Sequence, residues 1–217
     1  MANRRELTAN EAKFVRHVFR DSVSIENTEI ISRVWLSGGF TPYGGIKMDP
    51  QSYQTDYIGP DMYAPVGTPQ PDPQFELAYL FLHELGHSWQ HFTGAPMLRT
   101  FSQARRQGRR RVKAAGAAMT GFNVDAEIYS YQIVPSKPDL LDYNMEQQCE
   151  IIADYFSHVM WNRPLQVNQW DNNNFAYPVA TLAQLGGVLA KFRADPNYPK
   201  DGRWMWQARS GFRNLER

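Results

Sequence analysis

The chain is short of cysteine, of long apolar runs and of net charge, and each shortage closes off a class of protein. Cys149 is the one thiol in 217 residues, which excludes an intrachain disulfide and any zinc cluster built from cysteines. No run approaches the roughly 18 apolar residues of a membrane span. The first residues, from Met1 to Glu6, are polar and lack an apolar stretch, so no cleaved secretory signal is expected. Such a chain is expected in a reducing cytoplasm, with any export by a route that needs no such signal. Linkers and internal repeats are also missing, so a single domain over residues 1–217 is expected. The 42% hydrophobic and 21% charged residues suit a packed core and exclude wholesale disorder.

The net charge of +1 hides an asymmetry. Acidic residues are absent from Leu85 to Val124, while Arg99, Arg105, Arg106, Arg109, Arg110, Arg111 and Lys113 fall there. The run Arg105–Lys113 has little aromatic interleaving, so it reads as a loop or solvated helix before it reads as a nucleic-acid surface.

Local patterns set out the elements. Thr8-Ala9-Asn10-Glu11 has the spacing of a capping box and predicts a helix to about Phe19, with Ala12, Val15 and Phe19 on its apolar side. Thr28 to Leu36 alternates and is β-branched, the pattern of a strand. Residues 37–74, rich in Gly, Pro, Tyr and Asp, predict a small irregular sheet with long turns. Two strong helical patterns follow, over 73–92 and 145–161, then a third apolar stretch from Val179 to Phe192. The tail beyond Pro196, with Trp204 and Trp206, reads as a strap. Short strands followed by helices indicate an α+β class.

The helix over 73–92 opens on Asp72-Pro73, an N-cap and a proline at the first helical position. At roughly 100° per residue, Phe75, Ala78, Leu82, Leu85, Trp89 and Phe92 form one apolar stripe. His83 and His87 lie one turn apart on nearly the opposite side, within His83-Glu84-Leu85-Gly86-His87. Imidazoles at i and i+4 can both reach one zinc ion at ~2.0–2.1 Å. A glutamate directly after the first of them, Glu84, can act as general base on water that the metal activates. With 5 His and 10 Glu, chance gives this pattern in roughly one such chain in two hundred. His91, at i+8, lies about 12 Å along the axis from His83, too far to share the ion. Gln90 and Thr93 stand where a metzincin needs Gly and His.

A third ligand has to come from the helix over 145–161. Met145, Cys149, Ile152, Phe156 and Val159 form its apolar stripe, which makes Cys149 a packed core thiol. Glu146, Glu150 and Asp154 form a separate acidic stripe. A His₂Glu site needs one carboxylate as ligand and gains from another that orients a ligating histidine. Glu150 is the expected ligand and Asp154 the expected orienting group. Glu146 competes for the ligand role. It falls in the first turn, after Asn144 as N-cap with Gln147 at N3, where the helix dipole alone explains an acid. His158, Tyr129, Tyr131 and Tyr155 are candidate donors to a developing oxyanion, and none of them is assigned.

The blocks Leu80–Gln90 and Met145–Phe156, with Leu7–Glu11 and Val18–Ser22, resemble a family of short bacterial zinc metallopeptidases. These are type VI secretion effectors: Vgr-related or Rhs-associated proteins, or C-terminal domains of VgrG spikes. The resemblance covers roughly residues 6–160. It implies a gluzincin-like peptidase with His83, His87 and Glu150 on Zn²⁺ and Glu84 as base. It also implies a toxin delivered from the producing cell's cytoplasm to the periplasm of a target cell. The implied partners are a peptide or protein substrate (cell-wall peptide included), a VgrG- or Rhs-type spike and a cognate immunity protein. Two departures stand out: the Arg-rich segment, and Cys149 where a small residue is usual.

The expected architecture is therefore an α+β zincin-like domain, with a small sheet packed on the HExxH helix and a second ligand-bearing helix beside it. Two rivals remain. One is a non-enzymatic zinc-stabilised adaptor of a secretion spike, its metal closed by a fourth protein ligand such as His91 or Glu146. The other is a nucleic-acid-associated protein using Arg105–Lys113.

Overall fold

The computed structural model describes residues 3–33, 39–59, 72–96, 128–161, 180–201 and 204. Arg105–Lys113, Trp206 and the side chains of Asp72 and Pro73 lie outside what is described. In order, the elements are β1 (Arg4–Glu6), α1 (Ala9–Phe19), β2 (Glu29–Ser32), β3 (Gly39–Phe40), β4 (Ile46–Met48) and α2 (Asp72–Phe92). After these come a 3-10 turn (Leu140–Asp142), α3 (Met145–Trp161), α4 (Leu182–Val188), α5 (Ala190–Ala194) and a second 3-10 turn (Tyr198–Asp201). The expected α+β class holds. No helix among the described residues is long and apolar enough to cross a membrane.

The sheet is small and mixed, in the order β1-β2-β4-β3. β2 runs parallel to β4, with Ile30 opposite Ile46, and β1 and β3 flank them antiparallel. Side chains alternate across the pleat, so Ile30, Ile46 and Met48 enter the core together. The strand expected from Thr28 to Leu36 is observed over Glu29–Ser32, and residues 34–36 lie outside the described set.

α1 begins as its capping box requires. The Thr8 N–H donates to Glu11 Oε2 at 2.8 Å, and the Glu11 N–H to Thr8 Oγ1 at 3.2 Å. The Glu11 carboxylate does more than cap. It is fully buried, takes both arms of the Arg5 guanidinium at 2.7 Å each, and accepts the Tyr57 N–H at 2.9 Å. One carboxylate thus ties β1, α1 and the loop before α2 together.

α2 and α3 pack face to face and carry the rest of the core. Trp161 at the end of α3 stacks on Phe14 of α1 at 5.7 Å and meets Phe75 of α2 edge-on. Val159, expected on the apolar stripe of α3, is 43% exposed, because it is Trp161 that turns inward in the last turn. The apolar stretch from Val179 to Phe192, expected to be helical, is so over Leu182–Val188 and Ala190–Ala194 with a turn at Leu189, and Val179 lies outside the described residues. Gly186 and Gly187 weaken the first, and Phe192 turns in to meet Trp89 at 5.1 Å and Phe19 at 5.8 Å. Of the tail, residues 197–201 and 204 are described, and these pack as a strap. The Trp89 indole N–H donates to the Pro196 carbonyl at 2.7 Å, and Trp204 packs on the same ring at 5.7 Å.

Candidate metal centre

α2 is not amphipathic where its motif lies. Every residue from Phe81 to Gln90 is buried, so His83 and His87 do not line an open face but meet α3. Close approach of the two helices makes this possible. A Cβ built on Gly86 would come within 2.7 Å of Cys149 Sγ and 3.1 Å of its Cβ. At that crossing the first two turns of α3 lie directly against the two imidazoles.

Glu146 Oε2 sits 3.0 Å from His87 Nε2 and 3.4 Å from His83 Nε2. Two donors on one tetrahedral ion stand about 3.3 Å apart when each is ~2.0–2.1 Å from it. Glu150 lies on the other side of the first ring, with Oε1 2.8 Å from His83 Nδ1. That contact is a close ion-pair distance but too far out of line to count as a hydrogen bond, and it leaves the Nδ1–H without an aligned acceptor.

The second imidazole is fixed by an amide chain. Gln148 Nε2 donates to the Tyr143 carbonyl at 2.8 Å, so its Oε1 is free to accept from Gln90 Nε2 at 2.9 Å. Gln90 Nε2 also donates to the Met145 carbonyl at 2.8 Å. Gln90 Oε1 therefore faces His87 Nδ1 at 2.9 Å, which makes Nδ1 the protonated nitrogen. A neutral imidazole has only one N–H, so His87 then presents a lone pair to the Glu146 carboxylate. A lone pair and a carboxylate oxygen at 3.0 Å repel unless a cation, either a proton or a metal ion, lies between them. In the metal-free protein the neighbouring groups favour a proton there. Burial lowers the pKa of both histidines, but Glu150 and Glu146 beside His83, and Cys149 and Glu146 beside His87, outweigh it and hold both well above the ordinary value. Burial likewise raises Glu146, and the two imidazoles overcome it, leaving the carboxylate well below its usual range.

Cys149 is the other soft donor nearby. His83, His87 and Cys149 offer atoms all within 4.8 Å of one another, a buried set that could hold a metal. Its Sγ, however, lies 3.3 Å from His87 Nδ1, the nitrogen already committed to Gln90. Burial pushes the thiol pKa up, only partly offset by His87. Glu146 Oε2 and Cys149 Sγ thus both stand beside the imidazole pair.

Of the expected site residues, Glu150 lies against His83 Nδ1. Glu146, its competitor for the ligand role, lies against both Nε2 atoms, so the helix dipole is not the whole reason for an acid in that first turn. Asp154 is one step further out. The Tyr79 hydroxyl bridges Glu150 Oε2 at 2.7 Å and Asp154 Oδ1 at 3.0 Å, and the Tyr131 hydroxyl is hydrogen-bonded to Asp154 Oδ2. Asp154 thus reaches His83 through Tyr79 and Glu150. Tyr79, Gln90 and Gln148 were not singled out in the sequence. The spacing Gln90 = His87+3 was the available sign for the second.

Glu84 is buried against β3, and its Oε2 accepts the Thr41 hydroxyl at 2.6 Å. Burial raises its pKa, moderated by His87, His83 and Thr41. Of the four candidate oxyanion donors, Tyr129 has its ring beside His83 at 5.7 Å. Tyr131 is committed to Asp154, Tyr155 packs on Phe156 beneath Arg193, and His158 lies in the last turn of α3. His91 packs on Phe92 and under Gly44, so its ring belongs to the loop before β4.

No protein-family model matches the chain. Over 79 residues, 36% of its length, it is 37% identical to the type VI secretion system spike protein VgrG2b of Pseudomonas aeruginosa. It spans 6% of the length of that protein. Its fold resembles that of the effector domain of Pseudomonas aeruginosa VgrG2b, with a TM-score of 0.53 at 21% identity, over 87% of this chain and 82% of that one.

Proposed function

We propose that the chain is a zinc-dependent peptidase that acts as a type VI secretion effector. The observation that carries the catalytic half is the placement of His83 and His87 among their polar neighbours. Their Nδ1 atoms face Glu150 and Gln90, and their Nε2 atoms converge on Glu146 Oε2. The donor set of two imidazoles and one carboxylate fits zinc. His83, His87 and Glu146 would hold the ion, with Glu150 in place of Asp154 as the group that orients His83. Bound there, zinc supplies Lewis acidity that polarises a carbonyl and makes water nucleophilic near neutral pH. Glu84 accepts the proton of the attacking water and passes it to the leaving amine. Its burial, which raises its pKa, suits a group that must both take and return a proton. Tyr79 and Asp154 hold Glu150 in place.

The secretion half rests on the likeness to VgrG2b in sequence and fold. On that reading a VgrG-type spike delivers the chain, a protein or cell-wall peptide in the target periplasm is its substrate, and the producer keeps an immunity protein.

The test combines metal analysis with toxicity. Purified chain should hold about one zinc, and Glu84→Gln should retain it while losing about 10²–10⁴-fold in peptide hydrolysis. Expression directed to the bacterial periplasm should be toxic for the wild type alone. Equal toxicity of the Glu84 variant, or a protein that binds no zinc, would refute the enzyme reading.

A further inference from the structure

The face of α2 that carries Glu84 docks onto the chain segment 39–45. Glu84, Ser88 and His91, at i, i+4 and i+7, form one stripe of the helix. Ser88 Oγ donates to the Gly44 carbonyl at 2.9 Å. Gly44 has φ +82°, and a Cβ there would lie 2.8 Å from His91 Cδ2, so the turn sits on the helix with no room for a side chain. At the other end of the segment, Gly39 in β3 and Thr41 just past it are two residues apart and both meet Glu84. Phe40, between them, faces away beneath the Lys47 ammonium. A Cβ on Gly39 would fall 2.3 Å from Glu84 Oε1 and 2.5 Å from its Cδ, so the strand backbone lies against the carboxylate. The other oxygen, Oε2, takes the buried Thr41 hydroxyl.

We propose that Thr41 and Gly39 are positioning residues for the reaction: the hydroxyl and the bare glycine backbone together hold the Glu84 carboxylate in a single orientation. This rests on reading Glu84 as the general base. The hydroxyl engages Oε2, and the glycine leaves Oε1 the room that any side chain would fill. The Ser88–Gly44 hydrogen bond and the His91 contact anchor the segment one and two turns further along, so that strand and helix keep a fixed spacing at Glu84. The contact of each with the site is to Glu84, so the effect passes through that carboxylate.

The experiment uses the full chain with Thr41→Val, Thr41→Ser and Gly39→Ala. It measures steady-state kinetics, zinc content and melting, and adds crystal structures of the metal-free proteins. Thr41→Val should lower kcat about a hundredfold through a misplaced base, with KM, zinc content and melting near wild type. Thr41→Ser should restore most of kcat, because it keeps the hydroxyl. In the metal-free Thr41→Val and Gly39→Ala structures the Glu84 carboxylate should leave its place against residue 39. A carboxylate that stays in place in both variants overturns the proposal, and so does one that moves while kcat is unchanged. If the wild type hydrolyses no peptide, the function reading fails by itself and the displacement in the crystals still decides the clamp.

Discussion

Replacing Gly86 by alanine tests the contact on which the centre depends. Alanine is the better helix former by roughly 1 kcal/mol, so an isolated helix would gain. In the protein the new Cβ would meet Cys149 Sγ at 2.7 Å, its Cβ at 3.1 Å and its Cα at 3.2 Å. Ordinary contacts start near 3.4 Å. The sulfur could rotate away, but the Cβ and Cα belong to the frame of α3, so the two helices must part by a few tenths of an ångström. Overpacking of this kind costs about 1–3 kcal/mol, which exceeds the propensity gain. The same displacement carries Glu146 and Glu150 away from the imidazoles, so zinc affinity should fall by more than the melting temperature implies. The assay is a double-mutant cycle of Gly86→Ala with Cys149→Ala, read by denaturant unfolding of the metal-free protein and by zinc titration. The double variant removes the 2.7 Å clash but keeps the contacts to Cβ and Cα, so it should recover only part of the loss, with a coupling of about 1 kcal/mol. A stabilised Gly86→Ala protein with unchanged zinc affinity would show that the helices do not need this approach.

Three further perturbations separate the remaining roles. Glu146→Gln should abolish stoichiometric zinc binding by equilibrium dialysis, whereas Glu150→Gln should weaken it by about 10–100-fold; the reverse order would return the ligand role to Glu150. Both histidines have raised pKa values in the metal-free protein, so the stability they give is complete below about pH 6.5 and lost as pH rises through the higher folded values. Zinc must displace those protons, so melting curves with chelator and with zinc should draw apart as pH rises from about 6 to 9, and converging curves would contradict the proton-filled site. Glu11→Ala leaves the Arg5 guanidinium and the Tyr57 N–H without their buried partner. It should cost about 3–5 kcal/mol in urea unfolding, and a loss under 1 kcal/mol would mean that the carboxylate is not the tie between β1 and α1.

Local pattern was enough for much of the molecule. The capping box at Thr8, the extents of α2 and α3, and the Asn144 cap with Gln147 follow from rules that act within one or two turns of chain. The spacing of His83, Glu84 and His87 likewise needs only the helical period, so these residues were legible as a group. The helical character expected between Val179 and Phe192 was legible too, but that Phe192 packs on Trp89 and Phe19 was not, because those rings are distant in sequence.

The order of the carboxylates around the histidines was also beyond a one-dimensional reading. Glu146, Glu150 and Asp154 share one helical stripe, and periodicity treats them alike. Which of them meets Nε2 and which Nδ1 depends on how far α3 slides along α2 and how close it comes. Gly86 against Cys149 decides the closeness, and the amide chain from Gln148 through Gln90 decides the His87 tautomer. Thr41 escaped notice for the same reason: it lies 43 residues from the carboxylate it holds. The sequence alone thus picked out the side chains that gather at the candidate site. The tertiary structure decided which oxygen faces which nitrogen, because that is a matter of a few ångströms between elements that only packing brings together.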